Sequence, residues 1–223
     1  DFTVNAMAAD AAGAVTDLFG GQDDLRRGVI RCVGDPAERF AEDALRMLRA
    51  LRFAARLSFR IDGETAAAIH AARIRLRAVA PERLHKELSG ILCGRQAAAL
   101  LEEFSDVLFE LIPELAPCQG FRQYNPHHTR DVWTHTLAVV DGVPPEEPLR
   151  LAALLHDAGK PATFFFDKNL VGHFYGHPAA GAAVTEEVLR RLRYDRATTE
   201  FVTQLVAVHG RPIPDDLRGM RRM

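Results

Sequence analysis

Two groups of residues in this chain of 223 have types and spacings that could do chemistry. The first is Asp43 with Arg46, Arg49, Arg52 and Arg56. On a helix this spacing lays the side chains along one stripe, beside an apolar stripe of Leu45, Leu48, Leu51 and Ala55. A carboxylate and a guanidinium one turn apart set an acceptor beside a fork of donors, and such a pair can read the edge of a nucleobase. The carboxylate accepts from the exocyclic amine of cytosine or adenine while arginine donates to the neighbouring ring nitrogen. The same carboxylate repels the carbonyl that guanine or uracil carries there. Arginines further along can hold triphosphate oxygens through charge-assisted pairs. The spacing also fits a solvated helix face with local ion pairs such as Glu42–Arg46.

The second group is His135, on the helical segment from Asp131 to Leu137, and the dipeptide His156-Asp157 that closes the apolar run from Leu151 to Leu155. Imidazoles and a carboxylate are ligands for a divalent ion. A carboxylate bridging beside two imidazoles suits activation of water for phosphoester hydrolysis. Asp131, one turn before His135, is expected to orient that imidazole. His127-His128 reads as a polar linker and His173, between Gly172 and Gly176, as a loop residue. His70 and His85 read as surface residues of helices, and Trp133 and Phe164-Phe165-Phe166 as core packing rather than a platform for bases.

The elements that must position these residues follow from period and punctuation. Phe2 to Ala8 alternates as a strand, Asp10 to Gly13 is a turn, and Ala14 to Leu18 completes a hairpin. A short helical turn spans Asp23 to Arg27, and a short strand Val29 to Val33. From Glu38 the period changes to that of a single amphipathic helix. Further helices are predicted from Thr65, from Pro81, over Gln96 to Phe104 and over Val107 to Ile112. After a linker, helices resume over Val132 to Val140, Leu149 to Ala158, Gly181 to Leu192 and Thr198 to His209. The expected fold class is mainly α, with one small β-containing part.

Bulk properties exclude several classes. With 48% hydrophobic residues the chain can bury a core, and no apolar run reaches the length of a membrane span. A net charge of −2 does not mark the chain as a nucleic-acid binder, although arginine supplies nearly all of its positive charge. That bias suits phosphate recognition, and it also follows from a GC-rich genome. Three cysteines with no CxxC spacing argue against a disulfide framework or zinc knot and for a reducing cytoplasm. Nothing in the sequence sets the oligomeric state.

Asp1-Phe2-Thr3-Val4-Asn5-Ala6, then Asp17-Leu18-Phe19-Gly20-Gly21 with Asp24, then Glu42-Asp43 through Arg49, resemble three successive motifs of the bacterial class II tRNA nucleotidyltransferases. These are the CCA-adding enzymes and related poly(A) polymerases, which often carry a C-terminal HD domain; the resemblance covers essentially the whole chain. It implies a small β-containing head remnant over residues 1–36, an all-helical nucleotide-recognition neck over 37–118 and an incomplete, all-helical HD domain over 119–223. Asp43 and Arg46 match the family's base-reading pair, a protein template for incoming CTP and ATP. Arg49 and Arg52 match nucleotide-contacting arginines, Asp1 and Asn5 a motif near the ribose, and Gly20-Gly21 a flexible element beside the pocket. The implied partner is tRNA, the substrates ATP and CTP, and the cofactor Mg2+. The family's glycine-rich loop and magnesium carboxylates lie ahead of the Asp-Phe-Thr motif. The expectation is therefore a fragment that holds no catalytic residue for nucleotide transfer and cannot add CCA to tRNA 3′ ends alone.

His135, His156-Asp157 and Gly159-Lys160 resemble the HD phosphohydrolase signature, which implies Mn2+, Ni2+ or Mg2+ on His135, His156 and Asp157. Lys160, His177 and His209 match further positions of that site. HD sites usually take a last aspartate from a later helix. Asp215 and Asp216 stand in a proline-rich loop, and neither is expected to serve. The alternatives are a stand-alone HD phosphohydrolase acting on cyclic phosphates or nucleotides, and a non-catalytic piece whose arginines hold the tRNA backbone. CCA addition and poly(A) addition use the same motifs.

Overall fold

A computed structural model describes residues 1–124 and 130–211. It is mainly helical, with three two-stranded pairs. The first is the expected hairpin, in which β1 (Met7–Ala9) runs antiparallel to β2 (Val15–Asp17) with Met7 opposite Asp17. Asp10 closes the turn, its carboxylate accepting the amides of Ala12 at 2.9 Å and Ala14 at 2.8 Å. The strand expected from Phe2 does not begin there. Asn5 Oδ1 accepts the Phe2 amide at 3.0 Å and winds Thr3–Asn5 into a 3-10 turn. Phe2 itself is wholly buried and meets Phe53 edge-on.

Next come α1 (Gly21–Arg27), β3 (Val29–Ile30), α2 (Pro36–Glu42), α3 (Leu45–Leu57), β4 (Arg60–Ile61) and α4 (Gly63–Ala72). The single helix expected from Glu38 is two. Asp43 breaks it with φ −149° and ψ 105°, ending α2, and its carboxylate accepts the Leu45 amide at 3.1 Å to open α3. Aspartate competes with the helical backbone for amides and so favours a helix end over a helix interior. The strands β3 and β4 pair in parallel, Val29 opposite Arg60, across the length of α2 and α3.

The buried face of α3 (Met47, Leu48, Ala50, Leu51, Ala54, Ala55) packs against Leu84, Leu88, Ile91 and Leu92 of α5 (Pro81–Leu92). Gly94 permits this approach, since a Cβ there would sit 2.4 Å from that of Ala55. Two short helices, α6 (Ala97–Glu103) and α7 (Ser105–Leu111), lead to the second half. That half is built from α8 (Val132–Gly142), α9 (Glu147–Leu155), α10 (Lys160–Thr163), the antiparallel strands β5 (Phe165–Phe166) and β6 (Gly172–His173), α11 (His177–Arg191) and α12 (Arg196–Val208). Neither the neck nor the HD region is all-helical as expected: β4 pairs with β3, and the Asp167 turn, tied to the Val171 amide, folds β5 onto β6. Among the described residues no helix is long and apolar enough to cross a membrane.

One core runs through both halves. Trp133 lies in it as expected, 3% exposed and edge-on to Phe109. Three expectations are corrected. His85 is a half-buried contact between the halves, its Nδ1 2.8 Å from the Leu192 carbonyl and its ring against Tyr194. His70 is half-buried too, stacked on Phe104 with Nδ1 2.9 Å from Asp106. Of the three phenylalanines only Phe164 packs inward, on Phe121 and Phe174; Phe165 and Phe166 are exposed. Alternation sends Phe165 to the face opposite Phe164, whereas Phe166 lies edge-on to Phe164 at the rim of the aromatic cluster, still 46% exposed.

Candidate functional site

Five helix ends converge on Asp157. His135 comes from the first turn of α8, His156 and Asp157 follow the end of α9, Lys160 opens α10, His177 opens α11, and His209 follows α12. Their charged or ring nitrogens surround one buried carboxylate. Oδ2 has Lys160 Nζ at 2.8 Å, His156 Nε2 at 3.0 Å and His135 Nε2 at 3.6 Å. Oδ1 has His177 Nε2 at 3.6 Å and His209 Nε2 at 3.7 Å. The sequence-predicted residues of this group are thus all brought together.

Three of the imidazoles are oriented from behind. His156 Nδ1 lies 2.8 Å from the Ala153 carbonyl, His177 Nδ1 2.8 Å from that of Phe174 and His209 Nδ1 2.6 Å from that of Val206. A carbonyl only accepts, so each Nδ1 carries the hydrogen and each Nε2 lone pair faces the centre of the neutral ring. His177 and His209 then face each other Nε2 to Nε2 at 3.2 Å, which needs a shared proton or a cation between them. Asp157 Oδ2 is buried with no nitrogen in hydrogen-bond geometry. The donor set fits a divalent cation. His135, His156 and Asp157 form one set, Asp157, His177 and His209 a second, and within each set the ligand atoms lie within 4.8 Å of one another.

Electrostatics agree with this geometry. Burial raises the Asp157 carboxyl, but the imidazoles of His156 and His209 and the Lys160 ammonium outweigh it and hold the group far below the usual carboxylate range. Burial lowers His177. It also acts to lower His209, where the contact to Asp157 and the Val206 carbonyl prevail and the net shift is upward.

Gln123 is a member that spacing could not reveal. It is 2% exposed, receives Lys160 Nζ on Oε1 at 2.8 Å and donates to the Arg130 carbonyl at 3.1 Å. Asp131, expected to orient His135, instead caps α8 by accepting the Thr134 amide at 2.7 Å. The cluster opens into a cavity of about 510 Å³ that His173 and Tyr175 also line. A larger hollow of about 790 Å³ between α11 and α12 is lined by Arg190, Arg193 and Arg196. Among the described residues the imidazole–carboxylate sets belong to the smaller cavity alone. His127, His128, Asp215 and Asp216 lie outside the described residues.

The arginine group is only partly assembled. Asp1 grips both Arg46, Nε to Oδ1 at 3.0 Å, and Arg49, Nη2 to Oδ2 at 2.8 Å, and Arg46 also pairs with Glu42. Asp43 is off this stripe. It sits between α2 and α3 and pairs with Arg83 of α5 at 2.8 Å. Burial raises the Asp43 carboxyl, but the Arg83 hydrogen bond and the Leu45 amide carry it below its ordinary value. Asp43 and Arg46 remain partly open, with 29% and 22% of their side chains exposed. Arg52 turns away to Glu87 and lies over the Phe53 ring, 4.7 Å from its centroid. Asn5 is occupied by its own turn. Arg83 and Glu87 were not legible, because each meets its partner across more than thirty residues of sequence.

Comparison with known proteins agrees with this layout. The family model described as the poly A polymerase head domain matches residues 1–31, the probable RNA and SrmB-binding site of polymerase A matches 58–118, and the HD domain matches 127–222. An A-adding tRNA nucleotidyltransferase of Deinococcus radiodurans is 36% identical over 100% of this chain and 54% of its own length. A CC-adding tRNA nucleotidyltransferase of Thermus thermophilus is 38% identical over 100% of this chain and 53% of its own. The chain thus spans about half the length of the curated relatives it matches. A Thermotoga maritima CCA-adding enzyme solved in complex with tRNA shares the fold, with a TM-score of 0.57 at 23% identity over 93% of this chain and 46% of that one. The chain belongs to the tRNA nucleotidyltransferase and poly(A) polymerase family, of which it carries head, RNA-binding and HD segments in that order.

Proposed function

We propose that this chain is the nucleotide-selecting and HD part of an enzyme that adds CCA to tRNA 3′ ends from CTP and ATP. Its similarity over its whole length to relatives named for adding CC or A to tRNA carries the proposal. Arg46 and Arg49, braced by Asp1, offer guanidinium edges to a base and its phosphates. Asp43, pre-ionised beside Arg83, is the acceptor for an exocyclic amine. Mg2+ for the transfer needs paired carboxylates, and no Asp-x-Asp pair occurs among these 223 residues, so alone they add no nucleotide. The free cysteines suit the cytoplasm. The test is Asp43→Asn in the full-length enzyme, assayed with CTP and UTP on tRNA lacking CCA. An amide can donate to a carbonyl, so discrimination against UTP should fall by about 1–3 kcal/mol. An unchanged CTP-to-UTP ratio would overturn the base-reading role.

The cavity around Asp157 supports a second activity, metal-dependent phosphoester hydrolysis. His135, His156 and Asp157 would hold a divalent cation, Mn2+, Ni2+ or Mg2+, with His177 and His209 on the far oxygen of Asp157. Such a cation supplies a more acidic water and neutralises phosphate charge. Lys160, fixed by Gln123, keeps Asp157 ionised and offers an ammonium toward a phosphate oxygen. Calorimetric titration with Mn2+ should show binding that His156→Ala abolishes. Binding that persists in the variant would contradict the assignment.

A further inference from the structure

We propose that His173, oriented by Asp167, is the general acid of the Asp157 cavity and hands a proton to the alcohol that leaves in phosphoester hydrolysis. This rests on the reading of that cavity as a hydrolytic site, but its observation is separate. His173 lines the cavity with His135, His156 and Asp157, yet among the described residues it belongs to neither imidazole–carboxylate set. It has a carboxylate of its own, with Nε2 3.1 Å from Asp167 Oδ2. An ionised carboxylate only accepts, so Nε2 carries the hydrogen and the Nδ1 of the neutral ring keeps the lone pair. This is the reverse of His156, His177 and His209, whose Nδ1 atoms face carbonyls. Among the described residues nothing hydrogen-bonds His173 Nδ1, which leaves that atom for a substrate.

The dyad is firmly mounted. Asp167 Oδ1 accepts the amides of Asn169 at 2.8 Å and Val171 at 2.9 Å, which ties the turn between β5 and β6 and leaves Oδ2 for the imidazole. The Val171 amide, and then His173, hold the Asp167 carboxyl below its ordinary value. The rings of Phe165 and Tyr175 pack against the imidazole, 5.5 and 5.2 Å away. Gly172, beside His173, gives its amide to the Tyr124 carbonyl at 2.8 Å, and a Cβ on it would sit 2.3 Å from the Gln123 carbonyl oxygen. Gln123 is the residue that fixes Lys160, so the dyad and the Asp157 centre share one support. In the proposed step water attacks phosphorus, the bond from phosphorus to the ester oxygen breaks, and the departing oxygen takes the proton from Nδ1 of the imidazolium. Ester and water give phosphate and alcohol. The imidazole, left neutral with its hydrogen toward Asp167, regains a proton as the attacking water gives one up. Asp167 stabilises the imidazolium and fixes its orientation.

The test compares phenyl phosphate with p-nitrophenyl phosphate as substrates of the full 223-residue chain in Mn2+. p-Nitrophenolate leaves as a stable anion, whereas phenolate is a much stronger base and needs the proton more. His173→Gln keeps a donor for Asp167 but has no proton to give. It should lower turnover of phenyl phosphate by about 10²-fold and of p-nitrophenyl phosphate by less than about tenfold. Its Mn2+ affinity in calorimetry should stay at the unaltered value. In Asp167→Asn the amide nitrogen takes the place of Oδ2 and donates to Nε2, so the hydrogen of the neutral ring moves to Nδ1. Nitrogen-15 NMR of the metal-free chain should show His173 as the Nε2–H tautomer and the Asp167→Asn variant as Nδ1–H, and that variant should also lose more turnover on phenyl phosphate. Equal losses on the two esters in His173→Gln, no loss on either, or an Nδ1–H tautomer in the unaltered chain would overturn the general acid and leave the hydrolytic reading standing. Hydrolysis of neither ester by the unaltered chain would overturn both.

Discussion

Replacing Lys160 by methionine isolates the electrostatics of the Asp157 centre. The ammonium is 5% exposed and 2.8 Å from Asp157 Oδ2. At an effective dielectric near 20, unit charges at that separation attract by about 6 kcal/mol, and desolvation of both ions offsets a large part. Removing one partner of a buried pair typically costs about 3–5 kcal/mol. Here His156 and His209 remain beside the carboxylate and take up part of its charge, which favours the lower end. Gln123 Oε1 also loses its donor, adding about 1 kcal/mol. The expected loss in chelator is therefore about 3–4 kcal/mol, a large fraction of the roughly 5–15 kcal/mol that stabilises a typical domain.

Trp133 makes the measurement direct. It is the chain's one tryptophan, is 3% exposed, and begins the helix that carries His135. Urea unfolding followed by its fluorescence should show the full loss in chelator. A loss less than half as large is expected at saturating Mn2+, because a bound cation replaces the missing ammonium and the variant binds it more tightly. Asp157→Asn with Lys160→Met should together cost less than the sum of the two alone. A loss below about 1 kcal/mol in chelator, or the same loss with and without Mn2+, would refute the argument that Lys160 and a cation serve the same carboxylate.

Three further outcomes are expected. Burial pushes the Cys32 and Cys118 thiols up to about 11 and about 12, so iodoacetamide at mildly alkaline pH should modify the half-buried Cys93 first, read by peptide mass spectrometry. Tyr194→Phe removes the 2.9 Å hydrogen bond to Ser89 and should lower stability by about 0.5–1.5 kcal/mol in the same urea assay. Gly94→Ala drives a methyl to within 2.4 Å of the Ala55 Cβ and 2.8 Å of its backbone, and should cost about 1–3 kcal/mol by forcing α3 and α5 apart.

What the sequence disclosed depended on the range of the interaction. The mainly helical class followed from apolar periodicity, and the hairpin of β1 and β2 from alternation and the Asp10 turn, both of which act over a few residues. In the Asp157 centre, His135, His156 and Asp157 were legible from their ligand chemistry, whereas Lys160, His177 and His209 came only from the resemblance to the HD signature, since nine histidines occur in the chain and type alone does not choose among them. Asp43 misled for a local reason: its spacing fits the arginine stripe, but its carboxylate gains more by opening α3 than by lying within a helix. The outward turn of Phe165 and Phe166 was lost because a run of aromatic residues does not say which of them a short strand will bury. Gln123, Arg83 and Glu87 find their partners only after the chain has folded back on itself, and no periodicity encodes that.

The helix α5 explains why the arginine surface and the Asp157 centre occur in one body. Residues four apart share a helix face, and residues two apart point about 200° away from each other. Arg83 and Glu87 face α2 and α3, where they hold Asp43 and Arg52, and a Cβ on Gly90 would meet Arg52 Cδ at 2.4 Å. His85 and Ser89, offset by two, face the other way to the Leu192 carbonyl and the Tyr194 hydroxyl between α11 and α12. Arg191, at the end of α11, reaches back to Glu114 and adds a second tie. One helix thus fixes Asp43, the acceptor proposed to read the base, against the helix pair that supplies His177 and His209. Loosening α5 would disturb both sites together, whereas removing a ligand at Asp157 leaves the Arg83–Asp43 pair intact.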